Sequence, residues 1–159
     1  MNILILSVGT RNLLVSYFMK SGFDKVIAVD ASPLAPALYI STKYYIVPKM
    51  TDPEYLHSIE KICCVENIQV VLPLQEDELD LISRNVKWFE ERKIKVVVSD
   101  IETVKICRDK YDFYLFLKSH SLPALKTYSN ALEFKDALDK GDFFKAKMRL
   151  WKRKFIGGQ

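Results

Sequence analysis

The chain has 159 residues, of which 49% are hydrophobic and 28% are charged, a composition typical of a soluble globular protein with one well-buried core. No apolar run approaches the ~20 residues that a helix needs to cross a bilayer. The apolar run 2–8 has no basic segment before it and no cleavage pattern after it, so it is not typical of a signal peptide. We therefore expect a cytoplasmic protein.

The net charge of +4 is unevenly distributed, because six of the 24 basic residues lie in the stretch 145–154. The rest of the chain carries slightly more acidic than basic residues. A nucleic-acid-binding protein usually spreads its basic residues over a folded face. We therefore expect neither a nucleic acid nor a membrane as a partner.

Cysteine and histidine indicate little chemistry. Cys63 and Cys64 are adjacent and Cys107 is distant, a spacing unlike that of a zinc site. His57 and His120 are each isolated in the sequence. We predict no metal site and assign no catalytic residue.

Hydrophobic patterning predicts five β-strands. The first, residues 2–8, is continuously apolar, as expected of a strand that is buried on both faces of a parallel sheet. The others are short apolar runs that end at or near a turn residue or a proline: 25–30, 43–47, 69–72 and 94–98.

Helical spacing of apolar residues fills the intervals between these strands. The predicted helices are one that carries Leu13, Leu14, Tyr17 and Phe18, a short one within 32–41, one capped by Asp52 with Tyr55, Leu56, Ile59 and Ile62 inward, a long one over 76–92 with Leu79, Ile82, Val86 and Phe89 inward, and a short one over 101–107. The alternation predicts an α/β protein with a Rossmann-like open parallel sheet.

In such a sheet, ligands bind outside the carboxyl ends of the strands. Gly9, Thr10 and Arg11 follow the first strand, where backbone N–H groups at a helix start suit an anion and a guanidinium suits a carboxylate or phosphate. The alternative is that Gly9 only makes the turn and Arg11 is solvated. Asp30 follows the second strand, where it would hold a ribose hydroxyl in a dinucleotide-binding protein, but a capping or turn role is equally open.

The segment after the fourth strand is acidic. Three consecutive acids, Glu76, Asp77 and Glu78, open the long helix, where negative charge complements the helix dipole. The same carboxylates could receive a substrate amine, so a structural role and a binding role both stay open.

The stretch 109–123, DKYDFYLFLKSHSLP, predicts a helix because Phe113, Phe116 and Leu117 recur at helical spacing. The proline at its end stops that helix. A strand-like segment, Leu125–Tyr128, follows.

Five segments occur in a suggestive order: ILILSVGTR (3–11), VIAVDASPLAPAL (26–38), VLPLQEDEL (71–79), VVVSD (96–100) and CRDKY (107–111). Together they resemble the carbamoyl-phosphate-synthase-like members of the ATP-grasp superfamily. No single segment is specific. Their order and spacing resemble the family's Rossmann-like domain that precedes the ATP-grasp domain, followed by the first helix of the latter.

The resemblance implies ATP-dependent joining of a carboxylate to an amine through an acyl phosphate, with ATP and Mg²⁺ as cofactors and small molecules as substrates. By position in the family pattern, Lys110 and Lys145 would contact ATP phosphates. It also implies a Rossmann-like domain over 1–107, an incomplete start of the ATP-grasp domain over 108–145, and a basic tail over 146–159. The candidate substrate site at the strand ends consists of Gly9, Thr10, Arg11, Asp30, Glu76 and Asp77.

Residues 141–159 depart from the family pattern of a lysine-bearing strand and a glycine-rich loop. Read one nucleotide forward, the codons of 145–155 permit K-P-K-C-G-Y-G-K-G-S, which resembles the missing segment, although only the glycine forced by Trp151 before a lysine is unambiguous. We hypothesise a frameshift; a genuine short protein with a basic tail is the alternative. In the family, the groups that hold adenine and Mg²⁺ come from later strands, so we expect this polypeptide to be inactive alone.

Two functions therefore compete: a truncated carboxylate–amine ligase of this family, and a stand-alone module that binds a small ligand without catalysis. A nicotinamide-dependent oxidoreductase is disfavoured because the loop after the first strand has one glycine instead of three. The apolar residues of 113–117 and 143–144 further predict self-association into homo-oligomers.

Overall fold

Five strands form the centre of the protein in the computed structural model, which describes residues 1–140 apart from the side chain of Leu138. The strands are β1 (Asn2–Ile5), β2 (Lys25–Asp30), β3 (Lys43–Ile46), β4 (Val70–Leu72) and β5 (Lys95–Val96). They lie in the order β3-β2-β1-β4-β5, and every neighbouring pair is parallel. The predicted α/β fold with an open parallel sheet is confirmed.

The central strand β1 is covered on both faces of the sheet. Leu4 belongs to one buried cluster, and Ile3 and Ile5 belong to another, because successive side chains of a strand point to opposite faces. Ile3 lies opposite Val26 on one side and Val70 on the other. This double burial explains why the run was continuously apolar.

Helices cover both faces of the sheet. They are α1 (Asn12–Met19), a 3-10 helix (Pro36–Ile40), α2 (Glu54–Val65), α3 (Glu76–Arg84) and α4 (Val86–Glu91). Val15 of α1 and Leu38 of the 3-10 helix pack in the cluster of Ile3. Ile59, Ile82 and Phe89 from the other helices pack in the cluster of Leu4. Burial of each such side chain stabilises the folded state by about 1.5–3 kcal/mol.

The prediction of one long helix over 76–92 is wrong in one respect, because the segment is divided at Asn85 into α3 and α4. The Asn85 side chain donates to the Leu81 carbonyl at 2.8 Å, which is the carbonyl that its own backbone N–H would reach in a continuous helix. That backbone N–H instead donates to Ile82 O at 3.0 Å. The side chain therefore competes with the helix ladder and ends the first helix.

The chain divides into two compact units, Met1–Ile101 and a second that begins at Glu102. The helices in and around the start of the second unit are α5 (Ile101–Arg108), α6 (Lys110–Ser119) and α7 (Ala131–Asp139). Asp109 caps α6, since its carboxylate accepts from the backbone N–H groups of Tyr111 and Asp112 at 2.9 and 3.1 Å. The domain limits proposed at residues 107 and 145 stay predictions.

Two features of the second unit differ from the sequence-based expectation. Residues 125–128 form no strand, and Leu125 is 90% exposed, so their strand-like composition is not realised. Helix α7 was not predicted. Asn130 starts it by accepting from the Glu133 backbone N–H at 2.9 Å, a capping role that asparagine favours.

In the part of the chain from residue 1 to residue 140, no helix has both the length and the apolar character to cross a membrane.

Candidate functional site

The carboxyl ends of β2, β1 and β4 lie side by side, because these strands are neighbours in a parallel sheet. The residues that follow them are therefore brought to one edge of the first unit, which we call the carboxyl edge. It includes the loop 6–11, Asp30 and the start of α3 at Glu76. The sequence-based grouping of these three segments at a common edge agrees with this topology.

The loop after β1 has two residues in the left-handed region. Ser7 has φ +46° and Gly9 has φ +52°, a conformation that costs a residue with a side chain about 1 kcal/mol or more. The Gly9 N–H donates to Asp30 Oδ2 at 2.8 Å. The Gly9 carbonyl accepts from the Ala37 N–H at 3.2 Å, so the loop is held from the side of β2.

Asp30 holds backbone groups with both carboxylate oxygens. Its Oδ2 accepts from Gly9, and its Oδ1 accepts from the Ser32 N–H at 2.9 Å. This is the geometry of the turn role that the sequence left open. It also means that the Gly9 amide, which was expected to face an anion, already has a carboxylate partner.

Arg11 is an exposed cation at this edge. Its Nη1 donates to the Ser7 carbonyl at 3.0 Å. Among residues 1–140, no carboxylate forms an ion pair with it. Thr10, beside it, is also exposed. A guanidinium in this setting suits a carboxylate or phosphate.

The acidic segment separates into two environments. Glu76 and Asp77 are exposed in the first turn of α3, whereas the next residue, Glu78, has a relative exposure of 0%. Its Oε1 accepts from the hydroxyl groups of Ser7 and Tyr55. Its Oε2 accepts from the Leu74 N–H at 3.3 Å.

The sequence analysis did not distinguish Glu78 from the two acids before it. The signal that could have found it is its position four residues before Ile82, on the inward face of the predicted helix. Burial, together with the Glu78 carboxylate, raises the pKa of the Tyr55 hydroxyl above its ordinary value. Tyr55 therefore keeps its proton and serves as a donor to Glu78.

Of the two candidate phosphate-contacting lysines, the structure describes Lys110, which belongs to the second unit. Lys110 lies at the start of α6, where its Nζ donates to the Cys107 carbonyl at 3.3 Å. Lys145 lies outside the described residues. Between residues 1 and 140 no group of three histidine, cysteine, aspartate or glutamate side chains could hold a metal ion.

A comparison with protein families finds a match within the first unit. The family described as PylC-like, N-terminal domain matches residues 3–97. No curated protein sequence matches the chain.

Solved structures with a similar fold are enzymes of greater length. The N5-carboxyaminoimidazole ribonucleotide synthetase from Thermotoga maritima has a TM-score of 0.58 and 21% identity over 87% of this chain and 36% of its own. The N5-carboxyaminoimidazole synthetase from Staphylococcus aureus, complexed with ADP, has a TM-score of 0.60 and 18% identity over 87% and 36%. An L-amino acid ligase from Bacillus licheniformis has a TM-score of 0.61 and 16% identity over 77% and 29%.

At these identities the likeness establishes the fold. The chain spans about a third of the length of the solved structures that it matches.

Proposed function

This chain belongs to the family of PylC-like N-terminal domains, and on that premise we propose that it forms the first part of an ATP-dependent carboxylate–amine ligase. The predicted kinship with the ATP-grasp superfamily is confirmed at the level of the domain that precedes the ATP-grasp core. A particular kinship with carbamoyl phosphate synthase stays a prediction.

The observation that carries the substrate role is the environment of Arg11. This cation is exposed at the carboxyl edge, held by the Ser7 carbonyl at 3.0 Å and not neutralised by a carboxylate of residues 1–140. It would bind a substrate carboxylate or phosphate. The exposed carboxylates of Glu76 and Asp77, which follow β4 at the same edge, would receive the amine.

The nucleotide role is proposed from position alone. Lys110 would contact an ATP phosphate, and Lys145 would supply the second contact. The likeness to the two synthetases covers 87% of this chain, more than the first unit, which supports the second unit as the start of an ATP-grasp domain. The described residues do not form a Mg²⁺ site.

We propose that this polypeptide does not catalyse ligation by itself, because the resemblance to the ATP-grasp family implies that adenine and Mg²⁺ are held by later strands of that domain. The frameshift proposed for 145–155 lies outside the described residues and stays a prediction. The nucleotide sequence downstream of codon 159 tests it, and it fails if no shifted frame continues the ATP-grasp pattern. Because we propose a ligase that acts on small molecules, we also propose that the protein is cytoplasmic.

A stand-alone binding module is the second candidate. It is favoured by the fact that Arg11, Asp30, Glu76 and Asp77 all lie within the first unit, Met1–Ile101. Such a module would bind a small anionic or amino-acid-like ligand without ATP.

Thermal shift separates the two candidates. We expect stabilisation by malonate or amino acids, which at a hundred times the dissociation constant amounts to about 2.7 kcal/mol, and none by Mg-ATP. Arg11→Ala should abolish the stabilisation. Lys87→Ala, an equal loss of charge at an exposed position of α4, should not. A clear shift with Mg-ATP would overturn the proposed inactivity, and no shift with any anion would overturn the substrate role of Arg11.

We also propose self-association through α6. None of its residues is buried, and Phe113, Leu115 and Phe116 are 37%, 45% and 38% exposed, which is unusual for a helix with so many apolar residues. The second predicted apolar segment, 143–144, lies outside the described residues. Light scattering at rising concentration should report growth in mass, reduced by Phe113→Ser with Phe116→Ser; a constant monomeric mass contradicts the proposal.

A further inference from the structure

The Glu78 carboxylate is fully buried and receives only neutral donors. Its partners are the hydroxyl groups of Ser7 and Tyr55 and the Leu74 N–H, and no basic side chain of residues 1–140 pairs with it. A buried carboxylate without a cation is costly unless each oxygen accepts hydrogen bonds. Its three partners come from the loop after β1, from α2 and from the segment before α3, so Glu78 joins three elements at one point.

Ser7 is bonded through both its side chain and its backbone. Its hydroxyl donates to Glu78, and its carbonyl accepts from Arg11 Nη1 at 3.0 Å. Its φ of +46° is unfavourable for serine and persists only where surrounding contacts enforce it. The Ser7 hydroxyl contacts the Glu78 carboxylate and also the hydroxyl of Tyr55.

The guanidinium of Arg11 lies over this loop. A Cβ added to Gly9 would be 3.6 Å from Arg11 Nη1. The guanidinium donates to the Ser7 carbonyl, and the conformation of Ser7 is held by its bond to Glu78 together with the backbone bonds of Leu6 and Val8 on either side.

We propose that Glu78 is a positioning residue for Arg11. Through the Ser7 hydroxyl it fixes the Ser7 carbonyl, and the carbonyl orients the guanidinium for a carboxylate or phosphate ligand. This inference rests on the proposed substrate role of Arg11. Preorganisation of this kind lowers the entropy lost on binding.

The chain offers a matched pair of variants. Ser7→Ala and Tyr55→Phe each remove one hydroxyl donor to the same oxygen, Glu78 Oε1, but only Ser7 connects to Arg11. Glu78→Gln is the third variant, which preserves the shape of the side chain and removes its charge.

The full chain, labelled with ¹⁵N, is studied by NMR of the Arg11 guanidinium, assigned with Arg11→Lys. Two quantities are measured: the rotation rate of the guanidinium without ligand, and the dissociation constants of inorganic phosphate and malonate. We expect faster rotation and about fivefold weaker binding for Ser7→Ala, and a smaller change for Glu78→Gln, whose amide oxygen can still accept from Ser7. Tyr55→Phe should lower the melting temperature and change both quantities much less than Ser7→Ala does.

Each outcome decides a separate claim. Unchanged rotation in Ser7→Ala, or an equal change in Tyr55→Phe, overturns the positioning role. If neither anion perturbs Arg11 in the unmodified chain, the substrate role fails, while the rotation rates still decide whether Glu78 positions Arg11. If Glu78→Gln does not fold, the comparison of Ser7→Ala with Tyr55→Phe decides alone.

Discussion

Two buried glutamates lie at opposite edges of the sheet, and each accepts a hydrogen bond from a tyrosine hydroxyl. Glu66 follows α2, near the amino ends of β2 and β3, and is 5% exposed. It accepts from Tyr45 and from Lys43 Nζ, the latter at 2.5 Å. Glu78, at the carboxyl edge, accepts from Tyr55 and Ser7.

The difference between them is the cation. Hydrogen bonds from Lys43 and then Tyr45 lower the pKa of Glu66, and the bond to Glu66 raises the pKa of Lys43 to about 12. Lys43 therefore compensates the charge of Glu66 at the edge formed by the amino ends of the strands, which we call the amino edge. The carboxyl edge leaves its cation, Arg11, without a carboxylate partner among residues 1–140 and satisfies its acid with neutral donors, an arrangement that keeps positive charge available to a ligand.

The largest effect is expected from Glu78→Leu. This change leaves two hydroxyl donors and one N–H without their acceptor inside the protein, so the free energy of unfolding should fall by about 3 kcal/mol. Urea denaturation measures it. The matched change, Glu66→Leu, should cost less because the Lys43 side chain is 52% exposed and turns to water. Equal losses would remove the distinction between the two edges.

A smaller effect is expected from Lys43→Met, and it depends on pH. The folded-state pKa of Glu66 is below its ordinary 4.5, so stability is present above that pH and is lost as the pH falls below it. The pKa of Lys43 is raised from 10.5 to about 12, so its contribution is present below 10.5 and is lost as the pH rises towards 12. Urea midpoints of Lys43→Met should vary less in both ranges.

The control for that experiment is Lys95→Met, at an exposed position where β5 begins. It should keep the pH dependence of the unmodified chain. If both variants reduce the change of the urea midpoint with acid pH by the same amount, general surface charge rather than the Glu66–Lys43 pair accounts for the pH dependence.

The smallest effect compares two left-handed residues, Ser7 at φ +46° and Asn67 at φ +49°. Asn67→Gly, at the amino edge, should leave the free energy of unfolding within about 0.5 kcal/mol, because glycine adopts this backbone readily. Ser7→Gly should lower it by about 1 kcal/mol despite the same relief, because the hydroxyl bond to Glu78 is lost. Thermal unfolding checks both, and a stabilised Ser7→Gly would contradict the structural weight given to that bond.

Much of the first unit could be predicted from local patterns. The run 25–30 was predicted as a strand with the limits that β2 has. A turn role for Asp30 was one of the alternatives that the sequence left open. The apolar pattern was less reliable for single positions: in α1, Leu13 and Tyr17 are 72% and 67% exposed while Val15 is buried. Helical spacing marks a helix but does not say which face the rest of the chain covers.

The second unit was harder to predict, since its signals are weaker. Asn130 before α7 was a cap that the sequence contained, and its significance was missed. Leu125–Tyr128 had the composition of a strand, but a strand forms only where a neighbour accepts its hydrogen bonds.

By itself, the sequence determined the alternation of strands and helices and hence the parallel sheet, because burial on both faces leaves a continuous apolar run in each inner strand. Only the tertiary structure decided which of three consecutive acids is buried. Glu78 meets Ser7 across 71 residues and Tyr55 across 23, and no local pattern reports contacts at such separations. The same contacts determine how Arg11 is held, because the position of a side chain at a sheet edge follows from the packing of several elements rather than from its neighbours in the chain.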